Sequence, residues 1–171
     1  ARSVWMNRFR AEQVGRLIEQ ESITVLMAVP TIYYRLMSQL QREQVSSMRL
    51  FTSGSAPLPV STHQAFEKQF GFRILERYGM TEVGIVLSNP CDGERKIGTV
   101  GLPVGQTIIR IVVQETGKDC VVDEVGEIWI SGPSVISGYL HRPEATAQSI
   151  EQGWLKSGDL GKRDADGYIS I

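Results

Sequence analysis

Apolar residues recur with two alternating periods over residues 1–90. In "AEQVGRLIEQES" the side chains of Val14, Leu17 and Ile18 fall on one helical face. The next run, "SITVLMAV", is short, almost entirely apolar and rich in β-branched residues, the pattern of a strand buried on both sides. Pro30 opens a second helix at the position where a missing N–H costs nothing, and Ile32, Tyr33, Leu36, Met37 and Leu40 repeat at helical spacing behind it. "QREQVSS" is a polar connection and "RLFTSG" a second strand. "PVSTHQAFEKQF" is a third helix with Val60, His63, Phe66 and Phe70 near one face, and Gly71 stops it as a C-terminal glycine does. "FRILERYG" is a third strand. Helices alternating with apolar strands predict a parallel sheet with crossover connections. Ligands of such sheets sit beyond the carboxyl ends of the strands. Both "TSGSAPL" and "YGMTE" fall there.

After Pro90 the texture changes. "KIGTVGLPV", "TIIRIVV", "GEIWISG", "GYL", "GKR" and "GYISI" read as strands separated by glycines and turn signals, and only "RPEATAQSI" reads as a helix. This half is expected to be a small β-barrel or twisted antiparallel sheet. The fold class is therefore α/β: a mostly parallel sheet with flanking helices over 1–90, followed by a small β-barrel-like subdomain over 91–171. The boundary is expected near Asn89 to Arg95. "NPCDGER" is short enough to be a corner between subdomains rather than a flexible linker.

Composition narrows the function classes. The 171 residues are 42% apolar and 22% charged, with a formal net charge of −1, normal for a globular protein. There is no polybasic run, so neither nucleic acid nor an acidic lipid surface is an expected partner. The apolar stretch Ile23 to Pro30 is too short to span a bilayer. "ARSVWMNRFRAEQ" lacks the apolar segment of a signal peptide. Cys91 and Cys120 stand in no metal-binding spacing and read as reduced thiols.

Three stretches could carry chemistry. In "YGMTE", Gly79 permits a tight turn or close approach to a ligand. Thr81 offers a hydroxyl donor, Glu82 is a natural Mg²⁺ ligand beside a phosphate, and Tyr78 can lay its ring against a base. The same residues read equally as a strand end with solvated polar groups. "TSGSAPLP" (Thr52 to Pro59) runs from strand to helix through small residues that leave room for a flat ligand, or simply make a tight turn. It is no phosphate-gripping P-loop, because no Gly-Lys-Ser/Thr follows. In "GWLKSGDLGKRDADGYI" (Gly153 to Ile169), Asp159 could accept both hydroxyls of a ribose, as acidic residues do in nucleotide folds, or be a turn carboxylate. "DADG" is a hairpin turn. His63 reads as a satisfied buried histidine and His141 as a surface or capping residue, neither with a metal partner. Ser53 and Ser55 have no histidine and carboxylate pattern beside them, so a serine hydrolase is a poor reading.

Taken together, "VPTIYYRL" (Val29 to Leu36), "TSGSAPLP", "ERYGMTE" (Glu76 to Glu82), "GTVGLPVG" (Gly98 to Gly105), "GEIWISGPSVISGYLHRPEAT" (Gly126 to Thr146) and "GWLKSGDLGKRDADGYI" resemble, in order and spacing, the adenylate-forming superfamily of acyl-CoA synthetases, adenylation domains and firefly-type luciferases. The resemblance covers nearly the whole chain. It implies an ATP-dependent, AMP-forming acid–thiol ligase: a carboxylate attacks the α-phosphate of Mg-ATP, pyrophosphate leaves, and the thiol of coenzyme A then displaces AMP. The cofactors it implies are ATP/AMP, Mg²⁺ and coenzyme A. Carried over by position, Ser53, Gly54, Ser55, Ala56 and Pro57 flank the adenine and the acyl group. Glu76 and Arg77 lie against the adenine edge and Tyr78 stacks beside it, with Gly79 and Met80 in the same nucleotide-binding run. Thr81 touches the α-phosphate, Glu82 holds Mg²⁺, and Asp159 takes the ribose hydroxyls. Thr81 and Glu82 are the expected catalytic pair. The wording "SGSAPLP", "ILERYGMTE" and "ERKIGTVGLPV" is most similar to malonyl-CoA synthetases, which implies a malonate-like dicarboxylate and an arginine fork for its second carboxylate. Arg77 is the candidate within this chain, with Arg49 and Arg95 weaker, and Ile85 and Val86 line the acyl pocket by the same resemblance.

The departures from that family matter equally. Its phosphate-covering Ser/Thr/Gly-rich loop and its C-terminal lid domain with a catalytic lysine have no counterpart here. The expectation is a fragment, the second half of the large N-terminal domain, inactive or nearly so alone and prone to self-association through uncovered apolar faces. A bacterial source implies the cytoplasm, and a eukaryotic one leaves the mitochondrial matrix open. Two other readings stay open: a ligase or carrier-loading adenylation enzyme for another carboxylic acid, and a nucleotide-binding module without catalysis.

Overall fold

Helix α1 (Ala11–Glu21) buries Ala11, Val14, Gly15 and Ile18, the stripe its 3.6-residue period dictates, and ends where Ser22 turns into the left-handed region at φ 49°. The computed structural model describes residues 2–171. Strand β1 (Val25–Ala28) follows, and helix α2 (Pro30–Met37) starts on its proline as expected. The polar connection holds a single 3₁₀ turn, Glu43–Val45. Strand β2 (Leu50–Ser53) pairs parallel with β1 in the register Val25↔Leu50 to Ala28↔Ser53. Tyr33 on α2 is fully buried, and its hydroxyl donates to the Thr52 carbonyl at 2.7 Å, which satisfies the one polar atom of a core aromatic. Its ring meets Phe66 edge-on at 5.3 Å, and Phe66 meets Phe51 at 5.0 Å.

Helix α3 (Val60–Phe70) supplies Phe66 and Phe70 to that core and stops at Gly71, whose φ of 80° a side chain would resist. His63 is buried on this helix, and its Nε2 accepts the Ile74 N–H at 3.0 Å. It is a structural acceptor, as the sequence reading held.

The chain divides into two units, Ala1–Leu75 and Glu76–Ile171. The division lies ahead of the expected corner at Asn89 to Arg95, because strand β3 (Leu75–Met80) pairs antiparallel with β4 (Gly84–Ser88), and β4 with β5 (Leu102–Pro103). The third strand therefore starts later than "FRILERYG" suggested and runs through Tyr78, Gly79 and Met80. These residues lie within a strand rather than beyond its end.

The rest of the second unit is the antiparallel, curled sheet expected. Strand β6 (Ile108–Val112) pairs with β7 (Gly126–Ser131), and β7 with β9 (Trp154–Arg163). Helix α4 (Pro143–Ser149) and the short β8 (Ile150–Glu151) lead into β9, and β10 (Ile169–Ser170) pairs with the far end of β9. The Val100 N–H donates to Ile169 and the Ile169 N–H to Gly101, carrying the curl from β10 to the segment just before β5. The alternation of β7, inward at Gly126, Ile128 and Ile130, fills a core with Val86, Leu87, Ile109, Ile111 and Leu155.

Two expected strands are not strands. Of "KIGTVGLPV" only Leu102–Pro103 forms a strand, with Gly101 in a single bridge to Ile169, because Gly98 and Gly101 take φ of 81° and 93° and turn the chain twice. "GYL" is part of a turn that leads to α4, not a strand. Among the described residues, no helix is long and apolar enough to cross a membrane.

Candidate functional site on the β3–β4 hairpin and strand β9

The hairpin is built on a glycine. A Cβ at Gly79 would lie 2.0 Å from the Gly84 carbonyl oxygen and 2.8 Å from the Ile85 Cα. No side chain fits between the strands there. Gly79 thus serves the close approach the sequence anticipated, but to its own neighbouring strand. The register shifts between Tyr78 and Gly79, a bulge that re-aims the chain. Thr81 and Glu82 then occupy the turn, which the Val83 N–H closes on the Met80 carbonyl at 3.1 Å, with the Val83 side chain buried as its anchor.

Tyr78, half-buried on β3, donates its hydroxyl to Asp159 Oδ2 at 2.6 Å, joining positions 81 residues apart. Burial, and then the Asp159 carboxylate, push the phenol well above its ordinary range, so it stays a donor. Asp159 is exposed on β9 and is positioned from behind. Its N–H donates to Ser157 Oγ at 3.1 Å, and the Gly158 N–H to Glu127 Oε1 at 3.0 Å, where Gly158 turns at φ 78°. The other Glu127 oxygen accepts the Trp129 indole N–H at 2.9 Å.

Glu82 is half-buried in the turn. Its Oε1 accepts the Tyr139 hydroxyl at 3.0 Å, and its backbone carbonyl accepts the Ile136 N–H at 2.9 Å. The Tyr139 phenol is raised, first by that bond to Glu82 and then by burial. Among the described residues Glu82 has no ion-pair partner, and its second oxygen makes no hydrogen bond. Thr81 is exposed, with a hydroxyl that has no partner among the described residues.

The other expected site residues lie in both units. In the first unit, Ser53 is buried at the end of β2, and its Oγ and that of Thr52 lack hydrogen-bond partners among the described residues. Ser55, Ala56 and Pro57 are exposed beyond half-buried Gly54, and Ser55 adopts φ 66°, an uncommon conformation for a residue with a side chain. In the second unit, Glu76 is buried, and its carbonyl is taken by the Asn89 N–H at 2.9 Å. Arg77 and Met80 are half-buried on β3. Ile85 and Val86 are neighbours on β4 and point to opposite faces: Val86 is fully buried in the core, and Ile85 is 48% exposed. Arg95 folds back on its own loop, donating to the carbonyls of Pro90 and Cys91 at 3.2 and 2.8 Å.

Sequence reasoning missed Tyr139 and Asn89. Tyr139 sits in "ISGYL", quoted above only as a matching motif, and its partner is 57 positions away. Asn89 had a visible signal, an amide between a β-rich run and a proline, but its role as a hydrogen-bond hub needs the fold.

Glu82 offers a hard cation one carboxylate. No three His, Cys, Asp or Glu side chains gather into a metal cage among the described residues, so an ion at Glu82 would meet a single protein carboxylate. Magnesium is held in that way, through one or two carboxylates together with substrate phosphates and water. Two concavities lie elsewhere. One of about 720 Å³ is lined by Ala11, Glu12, Tyr34 and Arg35 in the first unit. One of about 210 Å³ is lined by Arg110, Cys120 and Arg163 in the second. Neither is lined by the residues of the hairpin.

Known proteins resemble the chain over nearly its whole length. Residues 1–140 match the AMP-binding enzyme family. A sulfoacetate–CoA ligase from Cupriavidus necator is 40% identical over 96% of this chain and 32% of its own length. A malonate–CoA ligase from Arabidopsis thaliana is 40% identical over 98% of this chain and 29% of its own. Among solved structures, ATP-bound MatB from Rhodopseudomonas palustris superposes with a TM-score of 0.93 at 40% identity, covering 98% of this chain and 33% of that one. The chain thus spans about a third of the length of these relatives. With the match running through both units to residue 140, the chain belongs to the AMP-binding enzyme family.

Proposed function

We propose that this chain carries the nucleotide- and metal-binding part of an ATP-dependent acid–CoA ligase, one that activates a short dicarboxylate such as malonate as its acyl-adenylate and passes it to coenzyme A. The observation that carries the reading is the Tyr78–Asp159 hydrogen bond at 2.6 Å. It holds an aromatic face and a carboxylate together near the turn that bears Thr81 and Glu82, which is the inventory an adenylate needs.

The division of labour follows from chemistry. Asp159 is exposed, so it can accept ribose hydroxyls while Tyr78 fixes its orientation. The Tyr78 ring offers a face for the adenine. Thr81 presents a free hydroxyl donor to an α-phosphate oxygen. Glu82 would hold magnesium, and the ion when bound would supply positive charge against the phosphate oxygens. As the acid's carboxylate attacks phosphorus and pyrophosphate leaves, negative charge builds on those oxygens, and fixed donors placed beforehand lower the barrier.

Two matched relatives are named for sulfoacetate and malonate. Both acids are short and carry a second anionic group, which supports a dianionic substrate and a cation to meet it, Arg77 being the candidate in this chain. One observation favours a second reading, a ligase for a simple acyl or aromatic acid: Ile85 offers an exposed apolar surface on β4. ATP–pyrophosphate exchange by the complete protein, measured with malonate, succinate, acetate and benzoate, separates them. Malonate is expected to give the highest kcat/KM. A preference for benzoate or acetate overturns the choice of acid, and AMP binding with no exchange on any acid overturns the catalytic reading.

A further inference from the structure

We propose that Tyr139 is the positioning residue for Glu82: its hydroxyl holds one carboxylate oxygen, so that the other is presented to the metal ion in a single orientation. The proposal rests on the reading of Glu82 as the metal ligand given above.

The geometry is a clamp with two points of attachment. The segment between β7 and α4 donates the Ile136 N–H to the Glu82 backbone carbonyl at 2.9 Å and the Tyr139 hydroxyl to Glu82 Oε1 at 3.0 Å. Main chain and side chain of the same residue are therefore fixed by one strap. The strap is itself locked. The Tyr139 N–H donates to Thr146 Oγ1 at 2.9 Å, and that hydroxyl donates on to the Arg142 carbonyl at 2.9 Å. The Arg142 N–H returns to the Tyr139 carbonyl at 3.1 Å. Gly138 makes the approach possible: it sits at φ 153°, and a Cβ there would lie 2.8 Å from Thr146 Cγ2. The spacing of "GYLHRPEAT" therefore has a mechanical meaning, with glycine to admit the threonine, threonine to hold the tyrosine, and tyrosine to hold Glu82.

A glutamate in a hairpin turn has several rotamers within reach, and a lone carboxylate ligand must adopt one of them to meet a metal held mainly by a substrate. Fixing it in advance removes that entropy cost from binding. A hydroxyl-to-carboxylate hydrogen bond is among the stronger kinds, and partners behind a metal ligand typically contribute about 10-fold or more to metal affinity.

The test uses the complete protein with Mn²⁺ as the probe, its binding in the presence of ATP followed by electron paramagnetic resonance. Tyr139→Phe keeps the ring and removes the hydroxyl. Mn²⁺ binding is expected to weaken about 10-fold, and the Mg²⁺ needed for half-maximal activity to rise by the same factor. The melting temperature should stay near wild type, and the effect should vanish in a Glu82→Gln background. Wild-type Mn²⁺ affinity in Tyr139→Phe, or an equal loss when Glu82 is already Gln, overturns the positioning role alone. Wild-type affinity in Glu82→Gln itself overturns the metal-ligand reading on which it stands.

Discussion

Asn89 offers the most direct test of how the second unit is held together. It is 2% exposed at the end of β4. Its Nδ2 donates to the Thr99 carbonyl at 2.7 Å, and more weakly to the Glu76 carbonyl at 3.4 Å, while its Oδ1 accepts the Lys96 N–H at 2.9 Å. In Asn89→Ala the Glu76 carbonyl keeps its backbone donor, the Asn89 N–H. The Thr99 carbonyl and the Lys96 N–H lose their partner. Leaving a buried polar group unsatisfied costs about 1–3 kcal/mol, so two of them cost roughly 2–6 kcal/mol, toward the lower end because the Lys96 N–H is only half-buried and open to water. That is a large share of a typical total of about 5–15 kcal/mol. Equilibrium urea unfolding followed by circular dichroism measures it. With an m-value of about 2 kcal/mol/M, a loss of ~3 kcal/mol lowers the midpoint by roughly 1.5 M. Ser88→Ala is the control. It removes one hydrogen bond, Ser88 Oγ to the Asn89 carbonyl at 2.7 Å, and is expected to cost about 0.5–1.5 kcal/mol. An Asn89→Ala variant no less stable than Ser88→Ala would refute the hub.

Gly79→Ala places a methyl 2.0 Å from the Gly84 carbonyl, and forced overpacking of this kind costs about 1–3 kcal/mol or more; thermal melting should show the loss, with Gly84→Asn as the milder comparison, since nothing lies within 4 Å of a Cβ there and its φ of 66° is a conformation asparagine adopts more readily than other side chains. Lys96 bridges Asp164 and Asp166 at 2.5 and 2.9 Å, holding the Asp164 carboxyl below its usual range and raising its own ammonium. The unfolded chain therefore binds protons that folded Asp164 rejects, so this stabilisation is complete above pH ~4 and is lost as pH falls through the lowered pKa. At the alkaline edge it is complete below pH ~10 and is lost as pH rises through the raised pKa of Lys96. Denaturation midpoints across pH 2–6 should show an acid limb that flattens in Lys96→Met, and an unchanged limb would contradict the pairing.

Local rules made much of the first unit legible. Pro30 starts α2 and Gly71 ends α3, and "SITVLMAV" contains β1, although that strand is not buried on both sides as expected, Met27 being 66% exposed. "GEIWISG" likewise reads as a strand and is β7. What failed depended on backbone conformation or on distance along the chain. Gly98 and Gly101 look like ordinary strand punctuation, yet their positive φ values turn an expected nine-residue strand into a corner. Ile85 and Val86 were assigned together to one pocket, although strand alternation alone sends adjacent side chains to opposite faces. The site motifs were visible as motifs, but the bonds that join them were not. Tyr78 finds Asp159 across 81 positions and Tyr139 finds Glu82 across 57, and no local pattern encodes either.

Asp159, held by Tyr78, is proposed as the ribose-binding carboxylate of an adenylate site. Calorimetric titration of the complete protein with AMP, wild type against Asp159→Asn, tests it most directly. Hydrogen bonds to a charged group contribute about 1.5–3 kcal/mol, so the substitution should weaken AMP binding by roughly 10- to 100-fold while leaving the melting temperature of the free protein nearly unchanged. Equal AMP affinity in the two proteins would contradict the adenylate site.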